Sequence, residues 1–384
     1  MLLCLSAASV LMLFWIYDGY GRCLRLLCLL QHRSAAGDIG AVEDSALPSV
    51  TVLLTVHNEQ AAVRSRIENV LACDYPKDRL TLLVASDGST DETAAIVREM
   101  AKRDARVQLL ESPGLGKTGT QNLAITRIDS EIIVFTDADA EFRPDWLRRV
   151  APRFLDPTVG AVDGRLTRQV AASGSIQASE GRYWIYEMQL RRLESQLGIL
   201  AVVSGAAFAL RRAAFVPMDS AIGEDCVVPL DVVSQGLRVE HLPEAAAFEG
   251  LPEDLTVTLR RRVRMTLRNW QGTWSRPALL NPLRHPGYAF ALWSHKLLRW
   301  LSPVFMIIAF ASAALRSAIS PGVLSFALLT PWLTLFLLAG IHVVSRGKRI
   351  VPGAGFAWSF LLVNCAFLLG VAQAVRGQRI RRYR

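Results

Sequence analysis

The residues best placed to do chemistry are carboxylates at the ends of apolar runs. In "IIVFTDADAEF" (132–142) four apolar residues lead straight into Asp137 and Asp139. A short continuous apolar run reads as a strand buried on both faces. Side chains two apart on an extended chain point the same way, so these carboxylates would repel unless a cation lay between them. Mg2+ or Mn2+ suits such a pair, because these hard ions take oxygen ligands and complete their shells with substrate phosphates. The pattern therefore points to a held diphosphate. Other polar residues end apolar runs in the same way: His57, Asn58 and Glu59 after "VTVLLTV", and Asp87 after "LTLLVAS". Taken singly, Asp87 in "SDGSTDE" is ordinary turn chemistry and "HNE" a helix start. Taken together they converge, and carboxylates are rarely buried unless paired or metal-bound.

The elements that must position them alternate along the chain. Strands are expected at 50–56, 80–86, "VQLLES" and "EIIVFTD". Helices are expected at 58–71, after "STDET", at 116–127 and from "RPDWLRRV", where proline sits near the first turn. This alternation predicts an α/β domain with a mostly parallel sheet covered on both faces. Ligands in such sheets bind beyond the carboxyl ends of the strands, which is where these residues fall.

"GLGKTGT" (114–120) imitates a phosphate-binding P-loop, but the motif requires glycine where this chain has Glu111. A nucleotidase of that type is the minor enzymatic alternative.

The chain of 384 residues is 51% hydrophobic with a net charge of +9, too apolar and too basic for an ordinary soluble enzyme. Apolar residues concentrate at 2–17 and in three later runs, 301–315, 321–344 and 350–375. These read as membrane segments, although the first run is shorter than the roughly 20 residues of a spanning helix. No basic residue precedes it and no small-residue cleavage site follows, so a retained anchor is expected rather than a signal peptide. Arg22, Arg25 and Arg33 then place the central domain in the cytoplasm, at the inner or plasma membrane. "RGKR" (346–349) and "RGQRIRRYR" (376–384) both call for the cytoplasmic side with one apolar run between them, so either that run is re-entrant or a span is miscounted. The expected division is an anchor at 1–30, a linker at 31–47, the catalytic domain at 48–251, basic amphipathic interfacial helices at 252–300 and membrane segments with a basic tail at 301–384. The six cysteines form no Cys-x-x-Cys pair and the six histidines no ligand spacing, which argues against a disulfide framework and a zinc site. Arginines beside apolar segments point to anionic lipid headgroups rather than nucleic acid.

"TVHNE", "VASDGSTDET", "GKTGTQNLAI", "VFTDADAEFRPDWL", "VSGAAFALRR" and "GEDCVVPLDVVSQGLRVEHLPEAAAFE" occur in that order. Together they closely resemble the membrane-bound family 2 glycosyltransferases, a group that includes cellulose, chitin, hyaluronan and poly-N-acetylglucosamine synthases. The resemblance runs from about residue 48 to 300 and implies a GT-A fold and an inverting enzyme using a nucleotide-sugar donor, commonly a UDP-sugar. It further implies that Asp87 binds the nucleoside with Glu59 beside the base. Asp139 would be the metal ligand and Asp137 would sit beside the nucleotide and metal. Asp225 would be the general base, preceded by Glu224, with Ser204 and Gly205 on the acceptor side. Lys117 is a weaker candidate for the donor phosphate. As a residue at a helix start, Asp225 also has the plain reading of a charge complementing the helix dipole.

The chain departs from the family at "RRRVRMTLRNWQ" (260–271), where processive synthases carry Gln-x-x-Arg-Trp. Arg264 keeps the arginine position and could reach the diphosphate, Arg261 stands at the glutamine position and Met265 at the tryptophan position. Trp270 and Gln271 follow one turn later as acceptor-side candidates. The same segment also reads as a basic amphipathic helix on a membrane surface. The expected acceptor is lipid-linked or polysaccharide, in cell-envelope or exopolysaccharide synthesis, with export or an accessory subunit as a further partner. The non-enzymatic alternative is a membrane scaffold built on an inactive transferase domain. Tyr183, Trp184, Tyr186, Leu190 and Leu193 read as core or interface rather than a sugar platform, and Asn364 as a helix–helix contact.

Overall fold

The computed structural model describes residues 1–31, 42–169, 175–250, 255–345 and 351–379. Apolar runs at the expected places form the centre of an eight-stranded mixed sheet, in the order β3-β2-β1-β4-β7-β6-β8-β5. β1 (Val50–Val56) is buried along its whole length and pairs in parallel with β2 (Leu80–Asp87) and β4 (Ile132–Thr136). β3 (Val107–Ser112) extends the parallel half beyond β2. The helices Val63–Leu71, Thr93–Arg103 and Lys117–Ile125 connect these strands, so β1, β2 and β4 all end on one edge.

The other half was not apparent as strands in the sequence. β7 (Ala207–Arg211) lies antiparallel between β4 and β6 (Val159–Gln169), and β8 (Arg238–Gly250) carries the short β5 (Ala140–Phe142) at the far edge. Gly160 and Gly164 permit close packing here, since a Cβ would lie 2.6 Å from Val232 and from the Trp146 indole respectively. Two apolar cores fill the faces of the sheet, one containing Val52, Leu54 and Trp146, the other Leu53, Phe135 and Phe208.

Among the described residues, four helices are long and apolar enough to cross a membrane. The first, Leu2–Gln31, continues well past the apolar run at 2–17 and contains a π-helical turn at Trp15–Gly19. Tyr17 Oη lies 2.9 Å from Ser302 Oγ and 3.1 Å from Asn364 Oδ1, tying this helix to two of the later ones and confirming Asn364 as a helix–helix contact. Ser302–Ile319 and Val323–Val344 form an antiparallel hairpin, with Phe310 stacked edge-on to Phe336 at 5.2 Å. The last helix, Ala354–Val375, packs on the basic helix Leu255–Trp274, where Gly370 leaves room for Thr266. Just past its end, Gln271 Nε2 donates to the Gln378 carbonyl at 2.7 Å and Arg379 lies 3.4 Å from Asp219. The chain thus enters the apolar helices at Ser302 and is back against the basic helix at Gln378 and against Asp219 at Arg379. The "RGKR" segment and the final five residues lie outside the described residues.

Candidate active site

A cleft of about 610 Å3 opens at the carboxyl ends of β1, β2 and β4. Glu59, Asp87, Lys117, Asp137, Asp139, Ser204, Gly205, Glu224, Asp225, Arg261 and Arg264 all line it, although they span more than half the chain.

The end of the cleft at β1 and β2 is built from two stitched loops. His57 Nδ1 lies 2.8 Å from the Asp87 carbonyl, and the Glu59 amide donates to Thr93 Oγ1 at 2.8 Å. Asn58 holds a left-handed φ of 56°, and its Oδ1 accepts the Thr90 amide at 2.8 Å. Asp87 Oδ1 accepts from Thr120 Oγ1 (2.7 Å), Gly116 N (3.1 Å) and Ser112 Oγ (3.2 Å). Its carboxylate is therefore oriented by the "GKTGT" segment. That use of Gly116 removes the P-loop reading, because its amide serves Asp87 and Glu111 pairs with Arg98 on the surface.

Asp137 and Asp139 do not continue the strand. β4 ends at Thr136, and both lie in the turn before β5, so the alternation argument for their common direction fails. A turn brings the two together instead, closed by Ala140 N to the Asp137 carbonyl at 3.4 Å. Recession into the cleft pushes both carboxyls up, reinforced at Asp137 by Glu224 and at Asp139 by Asp137 and Glu249. Asp139 reaches about 6. Carboxylates crowded into such proton-holding are relieved by a divalent cation. Among the described residues no group of three or more His, Cys, Asp or Glu is arranged to hold an ion alone. The residues fit an ion bound by one or two carboxylates, with water and phosphate oxygens completing its shell.

Lys117 Nζ lies 2.5 Å from both Asp137 Oδ1 and Glu224 Oε1. Burial would raise the Glu224 carboxyl, but the Lys117 charge and hydrogen bond outweigh it and hold the group below its ordinary value. The neighbouring Asp225 moves the other way: burial and the Glu224 charge push it up, with Arg268 opposing. Cys226 Sγ donates to Asp225 Oδ1 at 3.3 Å. Gly205 packs against both acids, a built Cβ falling 3.4 Å from Asp225 Cβ and 3.5 Å from Glu224 Oε1. An ionised Glu224 beside a more basic Asp225 separates two roles, since the carboxylate with the higher proton affinity is the better base.

The cleft wall at Ser204 rests on buried charge. Ser204 donates its amide to Asp163 Oδ1 at 2.7 Å and accepts from Arg191 Nη1 at 2.8 Å. Arg191 pairs with Asp163 at 3.0 Å and with Glu187 at 3.3 Å. Glu187 also meets His295, Lys296 and Arg299 at 2.8, 3.0 and 3.0 Å. These cations hold its carboxyl well below the usual range although burial pushes it up.

Of the basic-helix residues, Arg261 forms an ion pair with Glu249 of β8 and faces Asp139 and Asp137, while Arg264 and Arg268 line the cleft further along. Trp270 and Gln271 do not line it. Trp270 packs against Trp274 and Trp300, and Gln271 is bonded to the Gln378 carbonyl. Both lie beyond Asn269, the last residue of this helix to line the cleft. Trp300, from the segment leading into the membrane helices, lines the cleft instead, with Phe367 of the last helix. Trp184 also lines it, whereas Tyr186, Leu190 and Leu193 pack around Tyr20 and Leu24 as an interface. The side chain of Tyr183 lies outside the described residues.

Comparison with known proteins agrees with this geometry. Residues 51–216 match the family described as glycosyl transferase family 2. An N-acetylglucosaminyltransferase of Rhizobium meliloti (strain 1021) is 24% identical over 79% of this chain and 72% of its own length. One from Sinorhizobium fredii (strain NBRC 101917 / NGR234) is also 24% identical, over 90% of this chain and 86% of its own. A mannosyltransferase from Pyrobaculum calidifontis, solved in complex with GDP-Man and Mn2+, shares the fold with a TM-score of 0.71 at 21% identity, covering 97% of this chain and 99% of that one.

Proposed function

We propose that this chain, a family 2 glycosyltransferase with a GT-A fold, is an inverting enzyme. It moves a hexosyl or N-acetylhexosaminyl group from a nucleotide-sugar donor to a hydroxyl of a lipid-linked or glycan acceptor at a membrane. The observation that carries the reading is the shared cleft. Asp87 and Glu59 stand at the nucleoside end, Asp137 and Asp139 at the diphosphate, and Asp225 beyond them at the acceptor wall.

The relatives' N-acetylglucosaminyl transfer favours a UDP-linked amino sugar, while the GDP-mannose bound by the structural relative keeps mannose in the panel. A divalent ion held at Asp139 and Asp137 supplies Lewis-acid stabilisation of the leaving diphosphate. Lys117, already between two carboxylates, and Arg264 offer further positive charge to the same group. Glu59 closes the nucleoside end, and Asp87 is fixed by three donors so that its free edge faces the nucleoside. Asp225 takes the proton of the acceptor hydroxyl, a step typically worth about 10² to 10⁴ in rate. Single displacement needs one base on the face opposite the leaving group, so the lowered Glu224 need not take part in proton transfer. It anchors Lys117. Ser204 and Gly205 form the wall against which the acceptor lies, and Trp300 supplies the aromatic face for which Trp270 was a candidate.

Trp300 and Phe367 place the acceptor end of the cleft beside the apolar helices, which supports a lipid-linked acceptor and membrane lipids as partners. Arg22 and Arg25, which come after the apolar run at 2–17 in the second half of the first helix, support a cytoplasmic catalytic domain. The test is release of free nucleotide by the full chain in lipid, from UDP-, GDP- and dTDP-sugars with Mn2+ or Mg2+. Metal-dependent release from one donor, lost in Asp139→Ala and Asp225→Asn, is the expected result. Absence of both nucleotide release and metal-dependent nucleotide binding would overturn the reading in favour of an inactive scaffold.

A further inference from the structure

Arg66 is a charged residue that the site described above does not use, yet it lies directly beneath that site. It projects from the helix Val63–Leu71 and is only 2% exposed. Nη2 donates to Thr136 Oγ1 at 2.6 Å and Nε to the Asp137 carbonyl at 3.3 Å, while Nη1 donates to Asn69 Oδ1. The guanidinium carbon sits 4.2 Å from the centroid of the Phe142 ring. Asn69, one helical turn on, grips the other end of the same segment. Its Oδ1 accepts the Phe142 amide at 2.9 Å and its Nδ2 donates to the Phe142 carbonyl at 3.0 Å. One helix thus clamps both ends of 136–142, the turn that presents Asp137 and Asp139.

The partners of these three nitrogens are neutral: a hydroxyl, a carbonyl and an amide. A cation buried among neutral groups costs stability unless nearby anions use its field. The carboxylates that feel it are Asp137, Glu141 and Asp139. Burial lowers Arg66 to about 10, which leaves it a full cation at neutral pH.

We propose that Arg66 is a positioning residue for the ion-binding turn, holding its shape through Thr136, Asn69 and the Asp137 carbonyl while placing fixed positive charge behind its two carboxylates. This rests on the reading of Asp139 and Asp137 as the metal-motif pair. Arg66 touches neither substrate nor ion. It preforms the turn so that two crowded carboxylates stay in place before an ion arrives. The planar fork matters as well as the charge, because a lysine ammonium cannot reach three divergent acceptors from one fixed plane.

The test is Mn2+ binding to the full chain in detergent, followed by the electron-paramagnetic signal of the free ion, alone and with UDP or GDP. Arg66→Met is expected to weaken Mn2+ binding about 10- to 100-fold, the usual effect of removing a group that orients metal ligands. Arg66→Lys should recover part of that loss. If Arg66→Met does not fold, Asn69→Ala, which removes only the second grip, should weaken Mn2+ binding while the circular dichroism of the sheet is kept. Folded variants with unchanged Mn2+ affinity overturn the role of Arg66 alone. An unsubstituted protein that binds no Mn2+ in any mixture overturns the metal-site reading, and this role with it.

Discussion

Lys117 Nζ stands 2.5 Å from Glu224 Oε1, so an ammonium from the donor loop is held by the residue immediately before the proposed base. The same nitrogen reaches Asp137, and one side chain therefore joins the proposed diphosphate end of the cleft to its proposed acceptor end. Substituting Lys117→Met should lower kcat by about 10² to 10³, the range seen when a preorganised charge-stabilising donor is lost. Steady-state kinetics with the preferred donor checks this. An unchanged kcat would mean that the lysine only closes the empty cleft.

The metal requirement should be direct. Chelation is expected to abolish transfer, and added Mn2+ or Mg2+ to restore it. Asp139→Asn should raise the Mn2+ concentration for half-maximal activity by more than about tenfold. Titrating activity against free Mn2+ in both proteins reads the shift.

Asp225 gives the pH dependence its sign. A base acts only when deprotonated, and burial with the Glu224 charge raises its proton affinity. Activity should therefore fall on acidification at a higher pH than an ordinary aspartate would give. Arg268 opposes that rise, so Arg268→Gln should move the acid limb of the kcat/KM profile to still higher pH. A limb that stays in place or moves down would exclude Asp225 as its source.

Glu187 carries stability rather than chemistry. Glu187→Ala leaves the cations Arg191, Lys296 and Arg299 in the protein without their shared anion, a loss on the order of 3–5 kcal/mol for a broken buried pair. Thermal unfolding in detergent should show a large fall in Tm. A change confined to kcat would contradict this.

Gln378 contacts Gln271 of the basic helix and Arg379 contacts Asp219, so the chain after the last helix returns to the part of the molecule it left. A chain that departs from and returns to one side of a membrane crosses it an even number of times, so the three helices after Ser302 are expected not to be all complete crossings. The last helix, 44% buried against 33% and 17% for the other two, is expected to be the one that does not cross. Cysteines placed at the C-terminus and in the catalytic domain should then label from the same side of sealed vesicles. Labelling from opposite sides would exclude this arrangement.

The parallel half of the sheet was legible because β1, β2 and β4 are apolar runs that stop at polar residues, a pattern fixed by burial alone. β7 and β8 were hidden because "AAFALR" and "EAAAFE" are rich in alanine, and only their pairing with neighbouring strands makes them strands. The aspartates of 137–139 were identified by type, but their turn was mistaken for strand. Lys117 was visible as a candidate, while its bridge to Glu224 depends on a fold that brings distant loops together. The basic helix shows the limit most clearly. Its residues were legible as cationic and aromatic, yet how far along the helix the cleft extends is set by tertiary packing, and so Trp270 packs against Trp300 while Trp300 itself lines the cleft.

Phe367 forms part of the cleft, and it comes from the last helix. The ribosome makes Asp87, Asp139 and Asp225 long before it makes Phe367. The sheet can close around its donor residues while the wall beside Trp300 is still missing. A nascent chain should therefore be able to hold nucleotide before it can use an acceptor. Activity then waits on insertion of the final helix, and a chain stopped after residue 345 should bind donor without transferring sugar.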